Sequence, residues 1–350
     1  MIEAGELTVA EAQALWRPET TYLNTATYGL PPQPAWEALQ AALADWHGGR
    51  TSFEGWMPAT ERAREQFALM TGARVDDVAI GANVSGLLGM VAAAIPDGAR
   101  VLAADNEFTS LIFPFLAQQA RGVEVAFAPL ERLAEAVDAS TDVVAFSAVQ
   151  SSNGAVAALD DIASAARHHG ALTVVDASQA LSWLPLDATR FDAVAAHAYK
   201  WLMSPRGTAF MYVAPGLAER VVPDGAGWFA TEDVFGTYYG GPLRLAASAR
   251  RFDTSPAWFN WIATAPAIEL INRIGVAAIH EHDVRLANRF REGLGLPPGD
   301  SAIVSADAPN AEEAFARAGI LASARAGRLR ASFHVYNTDE DVDRALDALA

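Results

Sequence analysis

From Asp77 to Val213 the chain alternates short apolar runs, rich in Val and Ala, with stretches of helical periodicity. That alternation is the signature of βαβ units and predicts a mainly parallel sheet. Seven strands are expected, at 77–81, 100–105, 123–128, 142–149, 172–178, 191–198 and 208–213. Upstream, Thr8 and Glu11 form a capping-box pattern that opens a short helix, and Pro18 stops it after Trp16. A short strand and a turn-rich loop follow in YLNTATYGLPPQP (22–34), and helices are expected over 35–46 and 59–71. A Gly- and aromatic-rich stretch, 223–242, breaks the alternation. Past Trp261 the pattern changes to helices at 263–274 and 276–293, short strands near 301–305 and 328–335, and a last helix from Asp339. The reading is an α/β protein: an N-terminal segment (1–20), a large domain (21–255) with a mainly parallel seven-stranded sheet, and a smaller α+β C-terminal domain (256–350).

Composition narrows the function classes. Apolar residues make up 51% of the chain and charged residues only 19%, which excludes disorder as the dominant state. No apolar run reaches the roughly 18 residues of a membrane helix. A net charge of −17 argues against nucleic acid and anionic membrane partners. With no cysteine, the chain has no disulfide, no thiolate metal site and no cysteine nucleophile. The start of the chain is acidic and amphipathic, so no signal peptide and a cytoplasmic location are expected.

Three segments carry candidate chemistry. VVDASQ (174–179) ends one expected strand on Asp176, and HAYKW (197–201) ends the next close to Lys200. Neighbouring carboxyl ends of parallel strands are where open α/β sheets bind ligands. A lysine ending a buried strand between Tyr199 and Trp201 suits Schiff-base chemistry, and Asp176 suits the acidic partner of a pyridinium nitrogen. Taken singly, such a Lys can snorkel to the surface and such an Asp can cap a helix. The third segment, IGANVSGLLGMVAAAI (80–95), reads as a strand, a turn and a helix whose first N–H groups face a phosphate. No Walker A pattern, G-x-S-x-G elbow or metal-ligand spacing accompanies these segments, and no metal is expected.

In this order the motifs resemble the class V aminotransferase and cysteine desulfurase family of fold type I enzymes, which depend on pyridoxal 5′-phosphate (PLP). The resemblance runs from YLNTATYGLPP (22–32) to LRASFHVYNT (329–338). It implies that Lys200 binds PLP as a Schiff base, that Asp176 pairs with the pyridinium nitrogen, and that Gln179 bonds the phenolic oxygen. The phosphate turn falls on Asn83, Val84 and Ser85, with His197 where the desulfurases have serine and Tyr199 where they have histidine. Phe108, in NEFTSLIFPF, takes the place of the ring-stacking histidine and cannot transfer a proton. Arg330 stands where the family binds the substrate α-carboxylate, with Asn24, Gln150 and Ser151 on the substrate side, whereas Arg325 and Arg328 read as surface charges. Ser255 stands where the family reaches the partner subunit's phosphate, which implies a homodimer with shared active sites.

The absent cysteine excludes a self-sufficient desulfurase. Expected instead is chemistry at Cα or Cβ of a bound amino acid: amino transfer, or C–S β-elimination from a cysteine conjugate. Epimerisation and decarboxylating oxidative deamination are the alternatives within the family, and a catalytically silent PLP-fold binding protein is the alternative outside it.

Overall fold

A strand covered on both faces needs apolar side chains at every position, and each of the seven apolar runs forms such a strand or its edge. The structure, a computed structural model, describes residues 5–350, so the first four residues of the expected N-terminal segment lie outside the described residues. In chain order the strands are β1 (Thr21–Tyr22), β2 (Val78–Gly81), β3 (Arg100–Ala104), β4 (Glu124–Ala128), β5 (Val143–Ser147), β6 (Leu172–Asp176), β7 (Ala193–His197), β8 (Ala209–Val213), β9 (Ile303–Ala306), β10 (Ile320–Leu321), β11 (Ser323–Arg325) and β12 (Arg328–Ser332). The helices are α1 (Val9–Gln13), α2 (Gln33–His47), α3 (Met57–Thr71), α4 (Val84–Ala94), α5 (Thr109–Leu116), α6 (Leu133–Ala136), α7 (Leu159–His169), α8 (Pro215–Ala218), α9 (Trp258–Ile274), α10 (Val276–Gly293), α11 (Ala311–Ala318) and α12 (Asp339–Leu349).

The large sheet has the order β2-β8-β7-β6-β5-β3-β4. The five strands from β7 to β4 run parallel, and β8 is antiparallel to both β7 and β2. Strands β2, β5, β7 and β8 are buried at every residue, while the edge strand β4 is largely exposed. The chain goes outward from β3 to β4, then returns past β3 to lay down β5, β6 and β7. The reversal lies between β3 and β5, and the carboxyl ends of those strands form the crevice of an open α/β sheet.

The C-terminal region builds a second, antiparallel sheet, β11-β12-β9, over a core that includes Phe290, Phe315 and Phe333. Helix α11 and strand β11 were not among the expected elements, whereas β12 falls within the strand expected near 328–335; β11 is three residues long and only partly covered. Two segments cross the expected domain limits. Strand β1 pairs in parallel with β10, and Leu23 joins the C-terminal core. Helix α9 starts at Trp258, earlier than expected, and packs on α2 and α3, with Trp261 and Ile268 in the core of the large sheet. The capping box of Thr8 and Glu11 forms, and Thr338 with Asp341 makes a second one at α12.

Candidate active site

The carboxyl ends of β3, β5, β6 and β7 deliver side chains to one narrow cavity lined by Phe108, Ser147, Val149, Ser151, Asp176, Ser178, Gln179, His197 and Lys200. Larger cavities lie elsewhere; one of about 550 Å³ beside α11 and the β11-β12 hairpin contains none of these residues. The chemistry therefore follows strand topology and not cavity size.

Lys200 sits in the turn after β7 and is buried. Its Nζ lies 5.4 Å from the ring centroid of Phe108 and 5.8 Å from that of Tyr199. Burial pulls its amine down to about 8; Asp176 opposes the shift, and Arg330, Arg206 and Arg325 add to it. The backbone around Lys200 is fixed from several sides. Gly29 N–H donates to Tyr199 O at 2.9 Å, and a Cβ at Gly29 would stand 1.9 Å from Lys200 O, so only glycine fits there. His334 Nε2 bonds Trp201 O at 3.0 Å while its Nδ1 meets Asp283 Oδ2 at 2.9 Å, with both side chains fully buried.

Asp176, the last residue of β6, accepts Ser178 N–H on Oδ1 at 2.8 Å. Its Oδ2 has no partner among the described residues and is available to the cavity. His197 Nε2 accepts Val84 N–H at 3.2 Å, which places the imidazole proton on Nδ1, facing Ser178 Oγ at 3.3 Å. Burial holds His197 down to about 4, against the opposing pull of Asp176, so the ring is neutral at pH 7. Ser178 Oγ also accepts His197 N–H at 3.0 Å, which leaves its own proton to be donated elsewhere. The first N–H of α4 is thus tied to the cavity through His197. Asn83 and Ser85 do not line the cavity: Asn83 Oδ1 caps α4, accepting Gly86 N–H at 2.7 Å and Ser85 Oγ–H at 2.9 Å.

Arg330, on β12, is buried and does not itself line the cavity, but it bonds the lining residue Ser151. Its Nη1 donates to Ser151 O at 2.6 Å, its Nη2 to Thr27 Oγ1 at 2.8 Å and its Nε to Ser323 Oγ at 3.2 Å. Burial and the neighbouring Arg325 lower its pKa to about 10. Gln179 lines the cavity, but its amide Nε2 already donates to Ala26 O at 2.9 Å and Ser151 Oγ at 3.2 Å, and its Oε1 accepts Trp201 Nε1–H. Gln150 is buried beside the cavity, not in its lining, and donates to Glu107 Oε1 at 2.8 Å. The buried oxygens Asn24 Oδ1 and Gln150 Oε1 have no hydrogen-bond partner among the described residues.

Arg325 and Glu107 depart from the sequence reading as well. Arg325 does not simply extend into solvent: its Nη2 donates to Thr27 Oγ1 at 3.2 Å, the hydroxyl that Arg330 also uses. Ser255, expected to reach the partner subunit's phosphate, lies in a separate small cavity with Ile80, Gly81 and Gly207 and accepts Trp228 Nε1–H. Glu107, overlooked beside Phe108, accepts Ser147 N–H, Ser147 Oγ–H and Gln150 Nε2–H. Burial pushes its carboxyl up to about 7. An acid directly after a strand at the sheet's reversal point was the available signal.

The donor set suits the cofactor implied by the sequence. It supplies a buried amine of lowered basicity, a carboxylate oxygen free to pair with a ring nitrogen, an exposed aromatic face at Phe108, and hydroxyl and amide groups near the start of α4. The profile of the family described as Aminotransferase class-V matches residues 21–316. Over 340 residues the chain is 29% identical to the uncharacterized aminotransferase YcbU of Bacillus subtilis, covering 90% of each chain. It is 29% identical to isopenicillin N epimerase of Streptomyces clavuligerus, covering 97% of this chain and 96% of that one. The structure of the cystine C-S lyase C-DES superposes with a TM-score of 0.84 at 23% identity, over 95% of this chain and 97% of that one, a likeness of fold.

Proposed function

From the premise that this chain belongs to the class-V aminotransferase family and is a PLP-dependent enzyme, we propose that it transfers the amino group of an α-amino acid to a 2-oxo acid. One observation carries the reading: among the described residues that line the cavity, Lys200 is the one group suited to move a proton at neutral pH. Bound PLP supplies an electron sink for the carbanion left when a bond to Cα breaks. The protein's part is to hold the substrate and to move protons.

Lys200 would hold the cofactor through its buried amine and, once freed by the substrate, would move a proton on one face from Cα to the cofactor carbon that keeps the amino group. Asp176 Oδ2 keeps the ring nitrogen protonated. Phe108 stacks and excludes water. Ser178 Oγ–H and the His197 region, with the start of α4, receive the phosphate. Arg330 takes the α-carboxylate as a two-pronged donor.

Epimerisation needs a second proton carrier on the opposite face. Phe108 carries no proton there, Glu107 is turned onto Ser147 and Gln150, and His197 has a lowered pKa and bonds to Val84 and Ser178. We also infer a homodimer, because Ser255 is set apart from the cavity of its own chain.

The test uses purified PLP-loaded protein and a panel of L-amino acids. Amino transfer releases a stoichiometric amount of 2-oxo acid and then stops until a 2-oxo acid acceptor is added. Continuous ammonia release would establish a lyase, racemisation without an acceptor an epimerase, and absence of Cα proton exchange a silent binding protein. Lys200→Ala should lose the visible absorption band of lysine-bound PLP; a normal band in that variant would overturn the site itself.

A further inference from the structure

Arg330 is buried, and all four of its hydrogen-bond acceptors, Ser151 O, Ser151 Oγ, Thr27 Oγ1 and Ser323 Oγ, are neutral. A second guanidinium arrives at the same place. Strand β11 pairs with β12 so that Ser323 lies opposite Arg330, and Ser323 and Arg325, two residues apart, share one face of the strand. The hairpin turn, with positive φ at Ala326 and Gly327, directs that face towards Thr27. Thr27 Oγ1 therefore accepts from both guanidinium groups, at 2.8 Å from Arg330 and 3.2 Å from Arg325. No carboxylate among the described residues pairs with either arginine. Two cations that share one neutral oxygen repel each other, and Arg325 lowers the basicity of Arg330 accordingly. In a chain of net charge −17 an acid to neutralise such a pair is easily supplied, yet none stands here.

We propose that Arg325 and Thr27 form a second anion subsite beside Arg330, and that the substrate is an amino acid whose side chain ends in a carboxylate. The inference rests on Arg330 as the receptor of the α-carboxylate. One substrate carboxylate satisfies Arg330; the second cation takes the second anionic group. Arg325 is exposed, so it suits the far end of a side chain that reaches out of the cavity, while buried Arg330 suits the invariant end. Thr27 holds both guanidinium groups in place and defines the spacing between the two charges.

The experiment uses the PLP-loaded protein and carboxylates without an amine, so that no reaction intervenes. Succinate, glutarate and adipate are compared by isothermal titration with butyrate, pentanoate and hexanoate, their monocarboxylate counterparts of equal length. At least one dicarboxylate should bind about tenfold more tightly than its counterpart, the value of one charge-assisted contact. Arg325→Gln should abolish that preference and leave monocarboxylate affinity within about twofold, while Arg330→Gln should weaken both classes. Equal affinity for both classes throughout the series would overturn the subsite. So would an Arg325→Gln variant that weakens monocarboxylates as much as dicarboxylates, since Arg325 would then serve the first carboxylate only. If the protein acquires no visible band with PLP, the reading of the site fails and the inference with it; a normal band with no dicarboxylate preference removes the inference alone.

Discussion

Lys200 shows how burial sets chemistry at a single residue. An exposed lysine titrates near about 10.4, so only a minute fraction is nucleophilic at pH 7. Desolvation in the cavity lowers Lys200 to about 8 in spite of Asp176. The attacking species is the neutral amine, whose population grows as pH rises through the folded pKa and saturates above it. Attachment of PLP to the apoprotein should therefore accelerate up to about pH 8 and level off beyond, instead of climbing towards about pH 10 as a solvated lysine would. Stopped-flow absorbance across that range measures it, and a rate still rising at the upper end would show that the amine is not desolvated. Lys200 and Asp176 were legible in the sequence because Asp176 ends β6 and Lys200 follows β7 by three residues, and the apolar runs of those strands mark both positions. Arg325 was not: its partner Thr27 lies 298 residues away, and nothing local distinguishes it from a surface charge. The engaged amide of Gln179 was equally hidden, since its acceptor Ala26 O belongs to a distant loop.

Among the elements, strands buried on both faces read clearly because every position must be apolar, which made the large sheet predictable almost to the residue. Strand β11 did not, because three partly exposed residues leave little periodicity, and helix α11 did not, because its amphipathic pattern lasts only eight residues. The link between α3, the edge strand β2 and the segment leading to Ser255 was also invisible. Arg64 on α3 bonds Asp253 through both terminal nitrogens, and Asp253 Oδ1 also accepts Ile80 N–H at 2.9 Å. Both side chains are buried, and burial pushes the Asp253 carboxyl up to about 6 even beside the guanidinium. Removing Asp253 leaves the buried Arg64 guanidinium with Glu61, at 3.3 Å from its Nε, as its one remaining ionic partner among the described residues, at a cost of up to about 3–5 kcal/mol, whereas removing both leaves no charge to strand. Asp253→Asn should lower the urea midpoint markedly, and Arg64→Met combined with Asp253→Leu should recover most of the loss. A double variant as unstable as the single one would show that packing, not charge, sets the cost.

The whole molecule adds two opposed features. Its net charge of −17 makes two copies repel, yet the 223–243 region exposes Phe235 (51%), Tyr239 (91%) and Leu243 (80%). These side chains continue an aromatic cluster in which Phe53 meets Trp228 and Trp258, and Tyr238 meets Phe235 and Tyr239. Exposed apolar surface of this kind is the candidate interface of the proposed homodimer. Trp228 also donates to Ser255, so the cluster borders the residue expected to serve a partner's phosphate. Apolar burial drives association while charge opposes it, and only the second term is screened by salt. The protein should therefore scatter light as a species of twice 37.1 kDa, and its dimer should tighten as salt rises from about 0.01 to 0.15 M, where the screening length falls from about 30 to 8 Å. Tyr239→Asp with Leu243→Asp should yield a monomer that still folds, since both residues are exposed, but that releases PLP faster. A wild-type mass of 37.1 kDa at all concentrations would exclude the shared site, and dissociation promoted by salt would assign the interface to ion pairs instead of the aromatic cluster.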